Sequence, residues 1–305
     1  MKKEVFILSG FLGSGKTTLL KQFLQALKEE YKKPAVLMNE LGSVSIDSDA
    51  VDEDTAMREL LDGCICCTIS DKLEAQLQGL LVNEQFDVLI IETTGAAHPV
   101  EVVDSILSPL FADKFDFKGI LTVVDGKQWK NRSQFSPSVL HLMREQIRHA
   151  QFIIANKIDL LTEMEQGKFI YELQQLNPNA KVFLTNYAKV SMADILALTT
   201  IKEIGEFDKA SIGQHLSLQA VVYTFKGEVD GEEFEEWVKR QPDTIYRMKG
   251  YIPLKGKKYP MMFQYSYGMP LFMQADMKYK TNFVIIGEGL HKTNIIRSLE
   301  EIDHS

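Results

Sequence analysis

The chain has 305 residues and a formal net charge of −8, with 42 acidic residues against 34 Lys and Arg. That length accommodates about two domains, and 45% hydrophobic with 25% charged residues is ordinary for a globular protein. The acidic balance argues against a nucleic-acid-binding surface, which is normally basic. No apolar run reaches the length of a membrane span. All three cysteines lie within Cys64–Cys67, which cannot support a disulfide framework, so we expect a reducing, cytoplasmic location.

Up to about residue 200, short apolar runs alternate with amphipathic stretches. The predicted strands are Val5–Leu8, Ala35–Met38, Val88–Ile91, Ile120–Val124, Phe152–Ala155 and Val182–Leu184. Most of these runs lack strict alternation, which is typical of strands covered on both faces of a parallel sheet. Helical patterns lie between them near 16–30, 70–82, 99–108, 138–150 and 163–176. The alternation predicts a doubly wound, mostly parallel α/β domain over residues 1–200.

The pattern changes after residue 200. Residues 201–214 are mixed and polar and are predicted to form a linker. Residues 215–305 are predicted to form a smaller α+β domain with paired strands. The predicted elements there are strands at Leu216–Phe225, Thr244–Leu254, Tyr259–Tyr267 and Phe283–Ile286, and helices near 231–240 and 291–302. Methionines enrich this half at 248, 261, 262, 269, 273 and 277, and we expect them mainly to fill core gaps, with a docking surface as the alternative.

A glycine-rich loop follows the first predicted strand and opens the first predicted helix. Its candidate phosphate-binding residues are Gly10, Gly13, Ser14, Gly15, Lys16, Thr17 and Thr18. The glycines let backbone N–H groups surround phosphates, and the helix N-terminus adds a favourable partial charge. Lys16 would neutralise the outer phosphates and the Thr17 hydroxyl would ligate Mg²⁺. The alternative is a chance glycine-rich turn, which the strand and helix context disfavours.

Glu92 ends the strand Val88–Ile91, where a Walker-B carboxylate is expected. It could hold Mg²⁺ through a water, and Gly95 could place its N–H at a γ-phosphate. A strand-terminal Glu is also common for solubility alone.

Asn156-Lys157-Ile158-Asp159 follows the strand Phe152–Ala155. Guanine presents two adjacent donors, and an ionised carboxylate is acceptor-only, so Asp159 matches guanine and mismatches adenine. Lys157 would pack its stem along the base, and Asn156 would tie loops together. A loop with a helix-capping Asp is the alternative.

Cys64, Cys66 and Cys67 lie between the phosphate loop and Glu92. Thiolates suit zinc or copper(I), and a closed structural zinc site needs four ligands, whereas this segment offers at most three. We therefore expect an open, exchangeable site, with Glu40 as a candidate fourth ligand and His98 as a weaker one. Two alternatives stay open, namely small buried hydrophobes and a redox pair.

The motifs in this order resemble the CobW-type family of P-loop GTPases, a family of zinc and cobalt metallochaperones related to the nickel-insertion GTPases of hydrogenase and urease maturation. The matching segments are Gly10–Thr18, Asn39–Gly42, Gly63–Cys67, Glu92–Gly95, Asn156–Asp159, Arg247–Gly250 and Phe283–Gly287. The resemblance implies GTP hydrolysis coupled to metal delivery, with the cysteines as ligands and residues 39–47 as a switch. On this basis the candidate catalytic residues are Lys16, Glu92, Glu40 and Asp47, although Asp47 could equally be a solvated loop residue.

Two departures from that family limit the expectation. Ser43 stands where many members carry an acidic residue, so the coordination shell is open to question. Many members also carry a histidine-rich tract, whereas the six histidines here are scattered, so a single metal site is favoured.

Ala96 stands where many GTPases place a water-orienting side chain, and we expect slow intrinsic hydrolysis.

The sequence therefore predicts a cytoplasmic GTPase metallochaperone that uses GTP/GDP, Mg²⁺ and Zn²⁺ (or Co²⁺). Its expected partners are a client metalloprotein and, as an open alternative, a second copy of the chain, with no nucleic acid and no membrane. One alternative is an activator or insertase dedicated to one metalloenzyme or to the cobalamin pathway. A generic P-loop ATPase with a redox cysteine loop is the third.

Overall fold

The computed structural model describes residues 2–38, 56–59, 69–191, 195–196, 218–266 and 268–303. The chain divides into two compact units. The nucleotide unit comprises Lys3–Val102 and Phe117–Ser217, and the C-terminal unit comprises Leu218–Ser305 with Val103–Asp116 and Met1–Lys2. The predicted linker at 201–214, and the domain ends predicted beside it, lie outside the described residues and stay a prediction.

The nucleotide unit is built on a seven-stranded sheet. Its strands are β1 (Lys3–Ser9), β2 (Pro34–Met38), β3 (Ala56–Glu59), β4 (Val88–Glu92), β5 (Phe115–Asp125), β6 (Phe152–Asn156) and β7 (Lys181–Leu184). They lie in the order β3-β2-β4-β1-β5-β6-β7. The β1/β4, β2/β4, β2/β3, β5/β6 and β6/β7 pairs are all parallel.

Every residue of β2, β4 and β6 is buried. Full burial is expected where helices cover both faces of a parallel sheet, so the predicted fold class is confirmed. The sequence prediction missed β3, because Ala56-Met57-Arg58-Glu59 is short and half charged.

Several helices lie between these strands in the part of the chain that the structure describes. They are α1 (Lys16–Glu29), α2 (Ile69–Asn83), α3 (Pro99–Ile106), α4 (Gly126–Lys130), α5 (Pro137–Arg148) and α6 (Glu163–Leu176). In α1, Leu19, Leu20, Phe23, Leu24 and Leu27 are buried, and this spacing of three and four residues forms one apolar stripe. The stripe packs in one core cluster with sheet residues such as Phe6 and Ile90. The site-bearing end of α1 is thereby fixed to the sheet.

The C-terminal unit contains a five-stranded sheet. Its strands are β8 (Leu218–Thr224), β9 (Ile245–Ile252), β10 (Met261–Ser266), β11 (Met269–Gln274) and β12 (Asn282–Glu288), and its helices are α7 (Gly231–Lys239) and α8 (Lys292–Asp303). The order is β11-β10-β9-β12-β8, and every pair is antiparallel. Val221, Tyr223 and Phe234 share its core with Phe263 and Phe283. The predicted α+β architecture is confirmed here.

Two features of this unit differ from the sequence prediction. Strand β11 was not predicted, because it contains Pro270 and is largely exposed at the edge of the sheet. Edge strands can carry proline, since one side of their backbone has no ladder partner. The methionines are also not uniformly in the core. Met248 is buried, whereas Met269, Met273 and Met277 are exposed by 72%, 36% and 53%.

Among the described helices, none is long and apolar enough to cross a membrane.

Candidate functional site

The carboxyl ends of four neighbouring strands carry polar residues at one edge of the parallel sheet. Strand β1 ends at Ser9, β4 at Glu92, β5 at Asp125 and β6 at Asn156. All four are buried. Ligands bind beyond this edge in open α/β sheets. A surface groove of about 630 Å³ lies elsewhere, along α1 and Val190, and it carries none of these residues.

The loop after β1 turns back on itself before α1 begins. Gly10, Gly13 and Gly15 have φ angles of 134°, 73° and 113°, a conformation that favours glycine. A Cβ atom at Gly15 would lie 2.5 Å from Asn156 Nδ2, so position 15 has no room for a side chain. The Lys16 ammonium donates to Gly10 O at 3.0 Å. The Lys16 ammonium is therefore held over a loop that leads directly into the N-terminus of α1. A cation beside backbone N–H groups at a helix N-terminus is an arrangement that binds anions.

Thr17 and Glu92 meet directly at this edge. The Thr17 hydroxyl donates to Glu92 Oε1 at 3.0 Å, and Glu92 is only 7% exposed. Together they present a hydroxyl and a carboxylate, which are the hard oxygen donors that Mg²⁺ prefers. The neighbouring predicted residues differ in exposure, since Ser14 is buried and Thr18 is exposed. The residues therefore fit a magnesium ion.

Gly95 lies against the backbone of the phosphate loop. A Cβ atom at position 95 would lie 2.6 Å from Leu12 N and 3.1 Å from Leu12 Cα. The loop that carries Gly95 is held from the other side by Gln146 of α5, whose Nε2 donates to Gly95 O at 3.0 Å and to Ala97 O at 3.4 Å. Gln146 is 1% exposed. The segment after β4 is thus fixed between α5 and the phosphate loop.

Asn156 and Lys157 connect the end of β6 to the phosphate loop. Asn156 Nδ2 donates to Ser14 O at 2.8 Å, and Asn156 Oδ1 accepts from Ala188 N at 2.9 Å. Lys157 has a left-handed backbone, with φ 58°, and its Nζ donates to Gly13 O at 2.7 Å. Asp159 is exposed, and its backbone N–H donates to Asn186 Oδ1 at 3.0 Å. The tetrapeptide therefore lies beside the phosphate loop, and Asn156 ties two loops together as expected.

Three residues of this region were missed by sequence reasoning. Asp125 accepts from Lys127 N and Gln128 N, and its Oδ2 pairs with Lys157 Nζ at 2.7 Å. Gln128 Nε2 donates to Leu12 O at 2.9 Å. Asp125 could have been found, because it ends an apolar strand as Glu92 does. Gln146 gives no sequence signal, since it is one polar residue inside a helix.

The other predicted site residues are Glu40, Asp47, Cys64, Cys66 and Cys67. All of them lie outside the described residues.

His98, Glu145 and His149 form a cluster beside this site. One potential ligand atom from each lies within 4.8 Å of the others. The His149 Nε2 to Glu145 Oε2 distance is 3.3 Å, and Arg148 also contacts Glu145 Oε1 at 2.7 Å. These contacts, with the His149 hydrogen bond foremost, lower the pKa of Glu145 to about 2. Burial, and then the neighbouring His149, lower the pKa of His98. The sequence alone indicates His98 only as a weaker candidate fourth ligand for the cysteines.

Comparison with known protein families agrees with the site geometry. Residues 4–184 match the CobW/HypB/UreG nucleotide-binding domain, and residues 218–302 match the cobalamin synthesis protein cobW C-terminal domain. The chain belongs to the CobW/HypB/UreG family. Both parts of the predicted resemblance are therefore confirmed.

Several curated relatives of this family member have zinc in their names. The zinc chaperone YjiA of Escherichia coli is 29% identical over 85% of this chain and 85% of its own. The zinc chaperone CobW of Pseudomonas aeruginosa is 26% identical over 98% of this chain and 91% of its own. The zinc-regulated GTPase metalloprotein activator 1 of Schizosaccharomyces pombe is 32% identical over 64% of this chain, which spans only 48% of that protein.

Among solved structures, the Zn(II)-bound YjiA GTPase of Escherichia coli resembles the fold. The match has a TM-score of 0.50 at 23% identity and covers 99% of both chains. At this identity the likeness supports the fold alone.

Proposed function

We propose that this chain is a GTP-hydrolysing metallochaperone that couples hydrolysis to the binding and delivery of a transition metal, with zinc as the favoured metal. The observation that carries the proposal is the joining of the Asn156–Asp159 motif to the phosphate loop through Ser14 O and Gly13 O. The residues proposed to bind phosphate and those proposed to read guanine thereby lie together. Family membership and the names of the relatives support the metal part.

The phosphate loop would bind the nucleotide through its backbone. Gly10, Gly13 and Gly15 let the N–H groups converge, and the N-terminus of α1 favours the negative charge. The Lys16 ammonium, which donates to Gly10 O here, would exchange that carbonyl for the outer phosphates. Ser14 lies in the loop before α1, and Thr18 lies in the first turn of α1. Binding then requires a lysine side chain to move rather than the loop to refold.

Thr17 and Glu92 would hold Mg²⁺ beside the outer phosphates. Their oxygens are already in contact. When bound, the ion would supply positive charge that neutralises the phosphates. Glu92 can act directly or through a water, and in either case its burial fixes the carboxylate at the carboxyl end of β4.

Asp159 would accept from the two adjacent donors of guanine. Its carboxylate is exposed, and its backbone is held by Asn186. An adenine base offers a different donor pattern to this acceptor-only group, so it would leave the carboxylate unpaired. Asn156 acts as a positioning residue, because its amide bonds the phosphate loop and Ala188 N.

Cys64, Cys66 and Cys67, with Glu40, would bind the delivered metal as cargo. Thiolates favour zinc over hard cations. The segment that contains Glu40 and Asp47 precedes the cysteines in sequence and would respond to the γ-phosphate, so GTP and metal affinities would be coupled. That coupling must be reciprocal.

The experiment that tests the proposal is a zinc titration with and without a non-hydrolysable GTP analogue. We expect one zinc per chain to bind at the cysteines and its affinity to differ between the two states. The matched variant is the Cys64→Ser, Cys66→Ser, Cys67→Ser chain, in which the nucleotide-dependent part of zinc binding should disappear. A zinc titration that leaves the GTP dissociation constant unchanged would refute the coupling. If ATP bound as well as GTP, the role of Asp159 would also be wrong.

Turnover offers a second test. Ala96 is exposed directly after Gly95, and alanine cannot orient a water. We therefore expect slow hydrolysis by the isolated chain and acceleration by metal, by a client or by a second copy. Fast hydrolysis by metal-free monomer would contradict this expectation.

The second candidate is an activator dedicated to one client metalloenzyme, in the cobalamin pathway or elsewhere, with docking as its main role. It is favoured by the name of the Schizosaccharomyces pombe relative, a metalloprotein activator. The two candidates can be distinguished by cross-linking the zinc-loaded, GTP-bound chain to its partners in an extract of the cells that produce it. One dominant client supports the activator, and transfer to several apo-metalloproteins supports the general chaperone. The clustered thiols favour the cytoplasm as the compartment.

A further inference from the structure

The cluster of His98, Glu145 and His149 joins two elements of the nucleotide unit. Glu145 lies in α5, and His149 is the first residue after the end of α5. The two residues are four positions apart, so they project from the same face of the helix. His98 comes from the loop between β4 and α3. The two imidazole rings are 5.9 Å apart between centroids, with 57° between their planes. Three potential metal ligands therefore converge from segments about fifty residues apart in sequence.

We propose that His98, Glu145 and His149 form a second divalent transition-metal site, separate from the cysteines and selective for zinc-like ions. Two imidazoles and one carboxylate are a donor set that zinc uses in open, three-ligand sites. The set excludes the thiolates that select copper(I), and its nitrogen donors disfavour Mg²⁺ and Ca²⁺. This site goes beyond the proposed function and does not depend on it.

The distances are close to those that metal binding requires. Zinc–donor distances of about 2.0–2.2 Å place tetrahedral donors about 3.3–3.5 Å apart. The His149 Nε2 to Glu145 Oε2 distance is already 3.3 Å, and the widest pair is within 4.8 Å. Rotation of the half-buried His98 side chain can close a gap of about 1 Å without backbone movement.

The surrounding contacts already fix the two elements. Gln146, next to Glu145, donates to Gly95 O and Ala97 O, so the backbone just before His98 is tied to α5. Arg148 holds the second oxygen of the Glu145 carboxylate. A site supported in this way needs little ordering on binding. Glu101 and His141 both lie close enough to influence the charge of His98, so each is a candidate for a fourth ligand.

A competing explanation is a purely structural Glu145–His149 contact at the end of α5. That contact needs only the two residues of one helix, whereas the cluster also places the imidazole of His98 beside both of them. The scattered histidines had favoured a single metal site, and the fold brings two of them together. Metal binding and a structural contact predict different results when His98 is replaced.

The test uses the full chain with Cys64→Ser, Cys66→Ser and Cys67→Ser, which removes the thiols. Zinc affinity is measured by competition with a chromophoric chelator. We expect this background to retain one zinc, and His98→Ala or Glu145→Gln within it to weaken binding by more than about 100-fold, since even outer-shell changes cost about 10–100-fold. His291→Ala, at an exposed histidine of the C-terminal unit, is the matched control and should bind zinc as the background does.

A second measurement identifies the ligands without relying on affinity. Co²⁺ bound to the cysteine-free background should show visible ligand-field bands and no thiolate charge-transfer band. His98→Ala should abolish those bands, and His291→Ala should leave them. Circular dichroism and GTP affinity confirm that each variant is folded, and His98→Ala is the safer variant because His98 is less buried than His149.

The outcomes distinguish this site from the cysteine site. Loss of all zinc in the cysteine-free background would overturn the second site and leave the proposed function intact. Zinc binding that is unchanged by both His98→Ala and Glu145→Gln would also overturn it. If the cysteine-free chain instead keeps all the zinc of the natural chain and His98→Ala removes it, the second site stands and the cysteine site fails.

Discussion

The two units bury polar side chains for different purposes. In the C-terminal unit, Asp303 is 4% exposed and accepts from Tyr223 Oη, Lys226 N and Gly227 N, so it fastens the end of α8 to the end of β8. In the nucleotide unit, Asn156 is 2% exposed and bonds a loop at the edge of the sheet. The first arrangement stabilises a core, whereas the second shapes the surface that we propose binds the nucleotide.

The strands of the two sheets also differ in how completely they are buried. Strand β4 is buried at every position, while β8 buries Val221 and Tyr223 and leaves the residues beside them half-buried. A parallel sheet covered on both faces has only its edges free to carry chemistry. We therefore expect substitutions at the carboxyl edge of the parallel sheet to change nucleotide affinity, and substitutions of buried polar groups in the C-terminal unit to change stability.

The largest effect is expected for Asp159→Asn. The carboxylate would lose charge-assisted bonds to two guanine donors, worth about 3–6 kcal/mol together, so GTP affinity should fall at least about 100-fold. Affinity for xanthosine triphosphate should rise relative to GTP, because the amide can donate to the carbonyl that replaces the amino group. Competition with a fluorescent nucleotide measures both.

The control for this change is Asp276→Asn, at an exposed aspartate of the C-terminal unit. Equal GTP affinity in the two variants would mean that Asp159 does not read the base. The unfolding temperature of both should stay at the natural value, because both side chains are exposed.

Asp303→Ala should have the next largest effect, on stability alone. The backbone N–H groups of Lys226 and Gly227 and the Tyr223 hydroxyl would each lose a buried acceptor. We expect a loss of about 3 kcal/mol in the free energy of unfolding. Denaturant unfolding measures this loss, and GTP affinity should be unchanged. A large fall in GTP affinity with intact stability would contradict the division between the units.

Gly95→Ala should have the third largest effect, on nucleotide affinity. The added Cβ would lie 2.6 Å from Leu12 N, and overpacking of this kind costs about 1–3 kcal/mol. We expect the dissociation constant of a non-hydrolysable GTP analogue to rise by about 30-fold, with a smaller change for GDP, because Gly95 is proposed to lie at the γ-phosphate.

Gly167→Ala is the matched control, since nothing lies within 4 Å of the added atom at that position of α6. It should leave nucleotide affinity unchanged and raise stability by about 0.5–1 kcal/mol. Should Gly95→Ala bind the analogue as Gly167→Ala does, the loop after β4 can move away from Leu12 and does not sense the nucleotide.

The smallest effect is expected for Tyr223→Phe. The change removes one bond of 2.7 Å to Asp303 Oδ2, while the backbone donors of Lys226 and Gly227 stay. We expect a loss of about 1 kcal/mol in stability and no change in GTP binding. Burial and then the Asp303 carboxylate raise the pKa of Tyr223. Spectrophotometric titration of the natural chain should therefore show one late-ionising tyrosine, which is absent from the titration of Tyr223→Phe.

Much of the fold follows from patterns that are local in the chain. The fully apolar run Val88–Ile91 predicts a buried strand, and the phosphate-loop glycines with Lys16 and Thr17 predict the start of α1. The misses have local causes as well. Strand β3 is half charged and β11 contains Pro270, so neither resembles a strand in isolation. The exposed Met269 and Met277 show that residue type alone does not decide burial.

The sequence by itself determined the motifs, the family resemblance and the strands of the parallel sheet, because each motif and each strand is a pattern of residues within about ten positions of one another. Only the tertiary structure decided which distant groups meet. Lys157 reaches Gly13 and Asp125, Gly95 lies against Leu12, and His98 joins Glu145 and His149. These contacts arise when crossover connections bring the ends of parallel strands to one edge. Spacing along the chain carries no record of which loops will then lie side by side.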